Sequence, residues 1–336
     1  MRTHDTTETA RAGFFAVGSD TFHRACSLGI NPACALLVLA RGTGADNMTT
    51  SWSAKSVRER IAVRSSTAVE AIAVLCQAGI AKKSGTVARP KYKLQKQGDL
   101  IWLPNAVVDG AGSERPPVAR IRETQDPLLL RMFCDLYLDQ NLAEDGGINP
   151  QTVVTHYSRR RLGQQGSWVV WGFKSKQLSG HWNAVTLPHR IDSVSDEQRE
   201  NGIHDGTNLW KRLETLQRFG LFTWVPYLFD GPEGEPVFPV VTESGIIHEQ
   251  AVADACSTAA AQMLTQAQWD IAEERGELVV PVRQHMEQAT LFGIARLHYR
   301  PRTKMTSAWW ADHQQRCEAV VHDLLPYLGG VRHEAA

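Results

Sequence analysis

The sequence predicts an α+β chain, mainly helical: a helix-rich N-terminal unit, a second unit of the same element order, and a C-terminal helical region. Three observations carry this. A nearly uninterrupted apolar run at Ala33–Ala40 opens a series of helix-periodic segments that reaches residue 78. The order helix, glycine, two-strand hairpin occurs twice, over 65–94 and 208–241. Charge is divided as well: the 336 residues carry 36 Lys+Arg and 36 Asp+Glu, yet residues 1–98 hold +8 and the rest −8. The expected divisions are 1–98, a linker at 99–125, 126–242, and 243–336.

The elements follow in order. Asn31-Pro32 starts a helix, Asn as cap and Pro in the first turn. The run ACALLVLA is apolar all round, hence buried, and stops at Arg41-Gly42. Thr49–Trp52 is a short extended stretch. Ser53 caps Ala54–Ala62, with Val57 and Ile61 one turn apart. Ser65-Ser66-Thr67 is a second capping cluster, opening Ala68–Ala78 with Val69, Ile72 and Leu75/Cys76 on its apolar face. Gly79 suits the left-handed position after a helix. Ile80–Lys83, a turn at Ser84-Gly85, and the alternating Lys91–Leu94 make a basic hairpin.

Residues 30–96 therefore resemble the winged helix-turn-helix of bacterial regulators. Segment 53–96 contains ten Lys/Arg and only Glu59 and Glu70. The resemblance implies that the second helix of the pair enters the major groove of double-stranded DNA by its first turn. Ser65, Ser66 and Thr67 are small and polar enough to approach base edges and phosphates there, and a helix N-terminus itself favours a phosphate. Glu70, one turn on, could accept from a cytosine amine or simply be solvated. Lys82, Lys83, Arg89, Lys91 and Lys93 would reach the backbone or minor groove from the hairpin, with Arg58, Arg60 and Arg64 contacting phosphates. A three-helix module used only for packing is the competing reading of the same residues.

Beyond residue 98, Leu100–Leu103 reads as a strand and Gly110–Pro117 as a loop. Asp126-Pro127 starts an amphipathic helix to about Gln140, and Asn149-Pro150 restarts one through Thr152–Arg160. That helix ends in Arg159-Arg160-Arg161, whose positive charge complements a helix C-terminus. Ser167–Lys174 is a strand and Asn208–Phe219 a helix closed by Gly220. Leu221–Asp230 and Glu235–Val241 form a hairpin, so 126–242 reads as a second, degenerate winged helix interrupted by a polar loop near 190–207. Its turn carries Glu233 and Glu235, which suits packing or pairing of two copies better than phosphate contact. An Ala/Gln-rich helix at 251–272, strands at Leu278–Val282 and Leu291–Tyr299, and a last helix Ser307–Leu328 complete the chain.

Composition and motifs exclude several classes. A hydrophobic fraction of 43% and a charged fraction of 21% are those of a folded chain. No apolar run reaches the ~18 residues of a membrane span, and Met1–Asp5 lacks a signal-peptide core. Six cysteines, at 26, 34, 76, 134, 256 and 317, show no zinc-knuckle spacing and read as reduced thiols of a cytoplasmic protein. Phosphate-loop, dinucleotide-binding and HExxH patterns are absent. His181, His189 and His204 have no partner at metal-ligand spacing, Asp205-Gly206 reads as a turn, and Glu144-Asp145 adjoins a Gly-Gly break. Trp168, Trp171, Trp210, Trp224, Trp309 and Trp310 read as core or interface anchors.

The expectation is a non-catalytic, sequence-specific binder of double-stranded DNA. It would act as a homodimeric transcriptional regulator, without cofactor or metal. The C-terminal two-thirds could hold a protein partner. A replication initiator of the plasmid or phage type with tandem winged helices is one alternative. A winged-helix interaction subunit of a chromosome-organising or defence assembly is the other.

Overall fold

The computed structural model describes residues 13–86, 89–141, 146–180, 183, 185–191, 207–241, 246–286, 288–301 and 303–328. The protein is an α/β chain, 45% helical and 27% strand, with a large curled antiparallel sheet. This overturns the expected class, a mainly helical array of winged helices. The chain divides into two compact units, 1–140 with 183–221 and 299–303, and 141–182 with 222–298 and 304–336.

The first unit opens with β1 (Phe14–Gly18), α1 (Ser19–Ser27) and α2 (Ile30–Arg41). Ala33 to Leu39 are wholly buried, because a helix apolar on every side must be surrounded. The cap of α2 is Gly29, at φ 113°, and not Asn31. Next come β2 (Thr49–Thr50), α3 (Ala54–Ile61), α4 (Ser65–Gln77), β3 (Ala81–Gly85) and β4 (Pro90–Leu94). Gly79 adopts φ 71° directly after α4. The three strands make one antiparallel sheet, ordered β2-β4-β3.

β5 (Leu100–Pro104) pairs antiparallel with β1, a strand the sequence reading lacked. Residues 99–125, read from composition as a linker, also carry α5 (Ala106–Asp109) and α6 (Pro117–Glu123), with Val107, Val118 and Ile121 fully buried. α7 (Pro127–Asp135) starts at Asp126, whose carboxylate accepts from Leu128 N and Leu129 N. α8 (Leu187–Ile191) and α9 (Thr207–Arg218) complete the unit.

The second unit is built on a six-stranded sheet. Its strands are β6 (Val153–Gln165), β7 (Trp168–Gly180), β8 (Phe222–Phe229), β9 (Pro236–Pro239), β10 (Leu278–Arg283) and β11 (Thr290–Leu297). Their order is β10-β7-β6-β11-β8-β9, and every pairing is antiparallel. The expected helix at 152–160 is the first half of β6. Val153, Val154, Thr155 and Tyr157 are β-branched or aromatic, types that favour a pleated surface over a helix. On that strand the three arginines diverge instead of closing a helix. Arg159 lies 4.8 Å from the Trp171 ring and donates to Ala289 O, Arg160 grips Glu277, and Arg161 donates to Gln164.

The hairpin expected at 221–241 exists as β8–β9, but β11 pairs β8 along its whole length. A second winged helix in 126–242 is thereby excluded. Residues 183–221 of that segment belong to the first unit and its strands to the second.

Three helices join the sheet: α10 (Ile247–Met263), α11 (Gln266–Glu274) and α12 (Lys304–Leu324). The helix expected over 251–272 breaks after Met263, where Thr265 and Gln268 form a capping box. Small residues of α10 (Ala255, Cys256, Ala259, Ala260) pack into one core with Val170, Phe173, Val280 and Leu291. Each large side chain so buried contributes about 1.5–3 kcal/mol. That core also closes over a polar cluster. Glu249 accepts from Arg296 (2.5 Å) and from His313 (2.7 Å), and Trp309 stacks on the His313 ring at 4.8 Å.

Candidate nucleic-acid interface

α3 turns Val57 and Ile61 inward and leaves Lys55, Arg58 and Glu59 in solvent. Glu59 lies 4.0 Å from Lys55 and 3.9 Å from Arg58, too far for a strong hydrogen bond. Arg60 is tied down differently. Its Nε is 3.0 Å from Asp109 Oδ1 and its guanidinium 3.7 Å from the Trp52 ring centre, while Arg41 holds the other carboxylate oxygen at 2.7 Å. Of the arginines expected on phosphate, Arg60 is thus tethered within the fold, sharing one carboxylate with Arg41.

The connection from α3 to α4 is Ala62-Val63-Arg64, with Ala62 at φ 52°. A left-handed alanine is unfavourable alone, so packing on both sides must hold the turn. α4 then begins at Ser65, and Arg64 occupies the cap position without a side-chain acceptor. Ser65, Ser66 and Thr67 therefore form the first helical turn rather than capping it. Ala68, Ala71, Ile72 and Leu75 anchor the helix, and Ser65, Ser66, Val69, Glu70 and Ala73 are exposed. Val69, expected on the apolar face, is 55% exposed.

The hairpin supplies the cationic surface. In the β3–β4 register Lys82 stands opposite Lys93, Lys83 opposite Tyr92, and Ser84 opposite Lys91. Residues directly opposite share a face, so Lys82, Lys91 and Lys93 line one side of the sheet. Thr49 of β2, opposite Lys93, joins them. Lys83 is on the alternate face, exposed beside the buried Tyr92. Arg89 is exposed at the turn, its N–H donating to Thr86 Oγ1. Among the described residues, Arg64, Lys82, Lys91 and Lys93 form no ion pair. The structure thus gathers Lys82, Lys91 and Lys93 on one sheet face and Ser65 and Ser66 on one helix turn, sets Lys83 on the other face, and holds Arg60 in an ion pair. Sequence reasoning missed Thr49, although it lies in the extended stretch already recognised there.

Of the other groups considered for chemistry, His189 lies within the described residues. His189 is fully buried, accepts from Arg212 at its Nδ1 (3.0 Å), and is pushed down to about 3 by burial and by the charges of Arg212 and Arg131. It is a neutral packing group. His181, His204, Glu144, Asp145, Asp205 and Gly206 lie outside the described residues. Among the described residues no three His, Cys, Asp or Glu side chains are placed to hold a metal, and no helix is long and apolar enough to cross a membrane.

No protein-family profile matches the chain, and no curated protein matches it. Two solved structures align weakly. One, described as an IclR transcriptional regulator from Silicibacter sp., is 12% identical with a TM-score of 0.16, over 89% of this chain and 96% of that one. The other, an IclR family transcriptional regulator from Brucella abortus, is 12% identical with a TM-score of 0.17, over 88% and 91%. Superpositions of that quality establish neither a shared fold nor a shared function.

Proposed function

We propose that the chain binds double-stranded DNA through its first unit and acts by binding, without catalysis, as a sequence-specific regulator of transcription. The observation that carries this reading is the face holding Lys82, Lys91 and Lys93, with Lys82 and Lys93 opposed across the ladder. Like charges so placed cost stability in the folded protein. A polyanion turns the same arrangement into a gain, by displacing counterions from its phosphates. Beside it in sequence, the exposed first turn of α4 offers hydroxyls and helix-terminal amides suited to phosphates and base edges.

The replication-initiator alternative needed a second unit of the same kind at 126–242, whose strands instead join the six-stranded sheet. A purely packing role gives no reason for a lysine-lined sheet face.

The test is binding to random duplex DNA across a salt series, with the protein intact and with Lys82, Lys83, Arg89 and Lys91 all changed to alanine. The intact protein should show a steep log–log slope, and the quadruple variant a slope lower by up to about four. Absence of binding at low salt sinks the reading.

A further inference from the structure

We infer that the second unit binds a small organic cation, an ammonium group on an apolar body, in a cleft formed by α10, α11 and the start of β10. The site is separate from the basic hairpin described above, since every residue lining it belongs to the second unit. The cleft holds about 300 Å³, at the lower end of the range for small-molecule sites. Trp269 and Glu273 stand four residues apart on α11, so they share one face of the helix. Asp254 and Ser257 stand three apart on α10 and share another. Ala253 and Ser257 are small, which leaves the space open, and Val240 and Leu278 give it apolar walls.

Charge and ring chemistry name the occupant. Glu277 also lines the cleft, its side chain 3% exposed, but Arg160 at 2.7 Å and Arg275 at 2.9 Å already balance it. Asp254 accepts only from the neutral amide of Gln250, at 2.9 Å, so its charge stays whole. Glu273 is exposed and forms no ion pair among the described residues. No described lysine, arginine or histidine lines the cleft. A concave site with charge of one sign and apolar walls concentrates its counter-ion. The half-buried Trp269 adds a ring face, which attracts a cation but offers an anion nothing. Among the described residues no three acidic, His or Cys side chains converge to hold a metal ion. The apolar walls and the indole therefore select a cation that carries apolar surface of its own.

The full-length protein is titrated calorimetrically at pH 7 and low salt with two cations, phenethylamine and benzyltrimethylammonium. Phenylethanol and phenylpropionate serve beside them, keeping the ring while replacing the cation by a neutral group or an anion. Both cations should bind, the alcohol roughly tenfold more weakly, and phenylpropionate not at all. Asp254→Asn and Glu273→Gln alter exposed side chains and spare the core. Each should weaken cation binding by about three- to fivefold, as expected for one solvent-exposed charge pair. Trp269→Leu should weaken it by about tenfold. Glu274→Gln removes the same charge one residue along, outside the cleft, and should change nothing. Failure of both cations to bind overturns the assignment. So does equal binding of the alcohol, which would make the cleft merely apolar. Equal losses in Glu273→Gln and Glu274→Gln overturn it too, because diffuse surface charge would then account for the binding.

Discussion

Lys82 and Lys93 face one another directly across the β3–β4 ladder, both exposed, with Thr49 completing the row on β2. Opposed cations in an antiparallel pair cost a few tenths of a kcal/mol. Lys93→Glu should therefore act in opposite directions on folding and on binding. Urea denaturation should show a small gain in stability, as repulsion becomes a cross-strand pair. Affinity for duplex DNA at low salt should fall, and the salt slope should shrink by about two, because one cation is lost and one anion gained. A variant that is less stable yet binds unimpaired contradicts the role given to this face.

Arg60 predicts the converse. With Asp109 on its Nε and Trp52 under its guanidinium, it is held in the fold and not free to reach a phosphate. Arg60→Ala should leave the salt slope almost unchanged while costing about 0.5–1 kcal/mol of stability from the lost cation–π contact. Arg58→Ala and Arg64→Ala should each flatten the slope by about one with little effect on stability. Asp109→Asn should steepen it, since Arg41 and Arg60 then lose the carboxylate they share.

Much of the first unit was legible because its signals are local. The apolar run in α2, the spacing of Val57 and Ile61, Gly79 at a positive φ, and the alternation of Lys91–Leu94 each follow from a few neighbouring residues. What failed depended on distant partners. Val153–Tyr157 becomes a strand because Leu178 and Ser179 lie opposite it on one side and Gly293 and Ile294 on the other. The segment's β-branched residues suit a strand, but only those partners fix its place in the sheet. The β8–β9 hairpin is legible locally, but only the β11 pairing shows that it belongs to a larger sheet. In the candidate site, the lysines could be read from charge. The tethering of Arg60 by Asp109, 49 residues away, could not. Nor could the outward position of Val69, because a shift of one residue along α4, from Ala68 to Val69, separates core from solvent.

The second unit makes its own prediction through Glu249. This carboxylate is wholly buried beside Arg296, at 3% exposure, and His313, at 1%. Burial pushes its titration up, but the His313 hydrogen bond and the charge and hydrogen bond of Arg296 outweigh that and hold it at about 2. In the unfolded chain a glutamate titrates near 4.3. Between those values the unfolded state binds the proton and the folded state does not. The stabilisation is therefore complete above the unfolded value and drains away as pH falls toward the folded one. Glu249→Gln keeps the shape and removes the charge, leaving Arg296 buried without its anion. It should cost about 3–5 kcal/mol at pH 7, measured by urea unfolding followed through tryptophan fluorescence. The difference between variant and unaltered protein should narrow as the pH is lowered from 5 toward 2. A difference that stays constant over that range would show that another carboxylate carries the acid sensitivity.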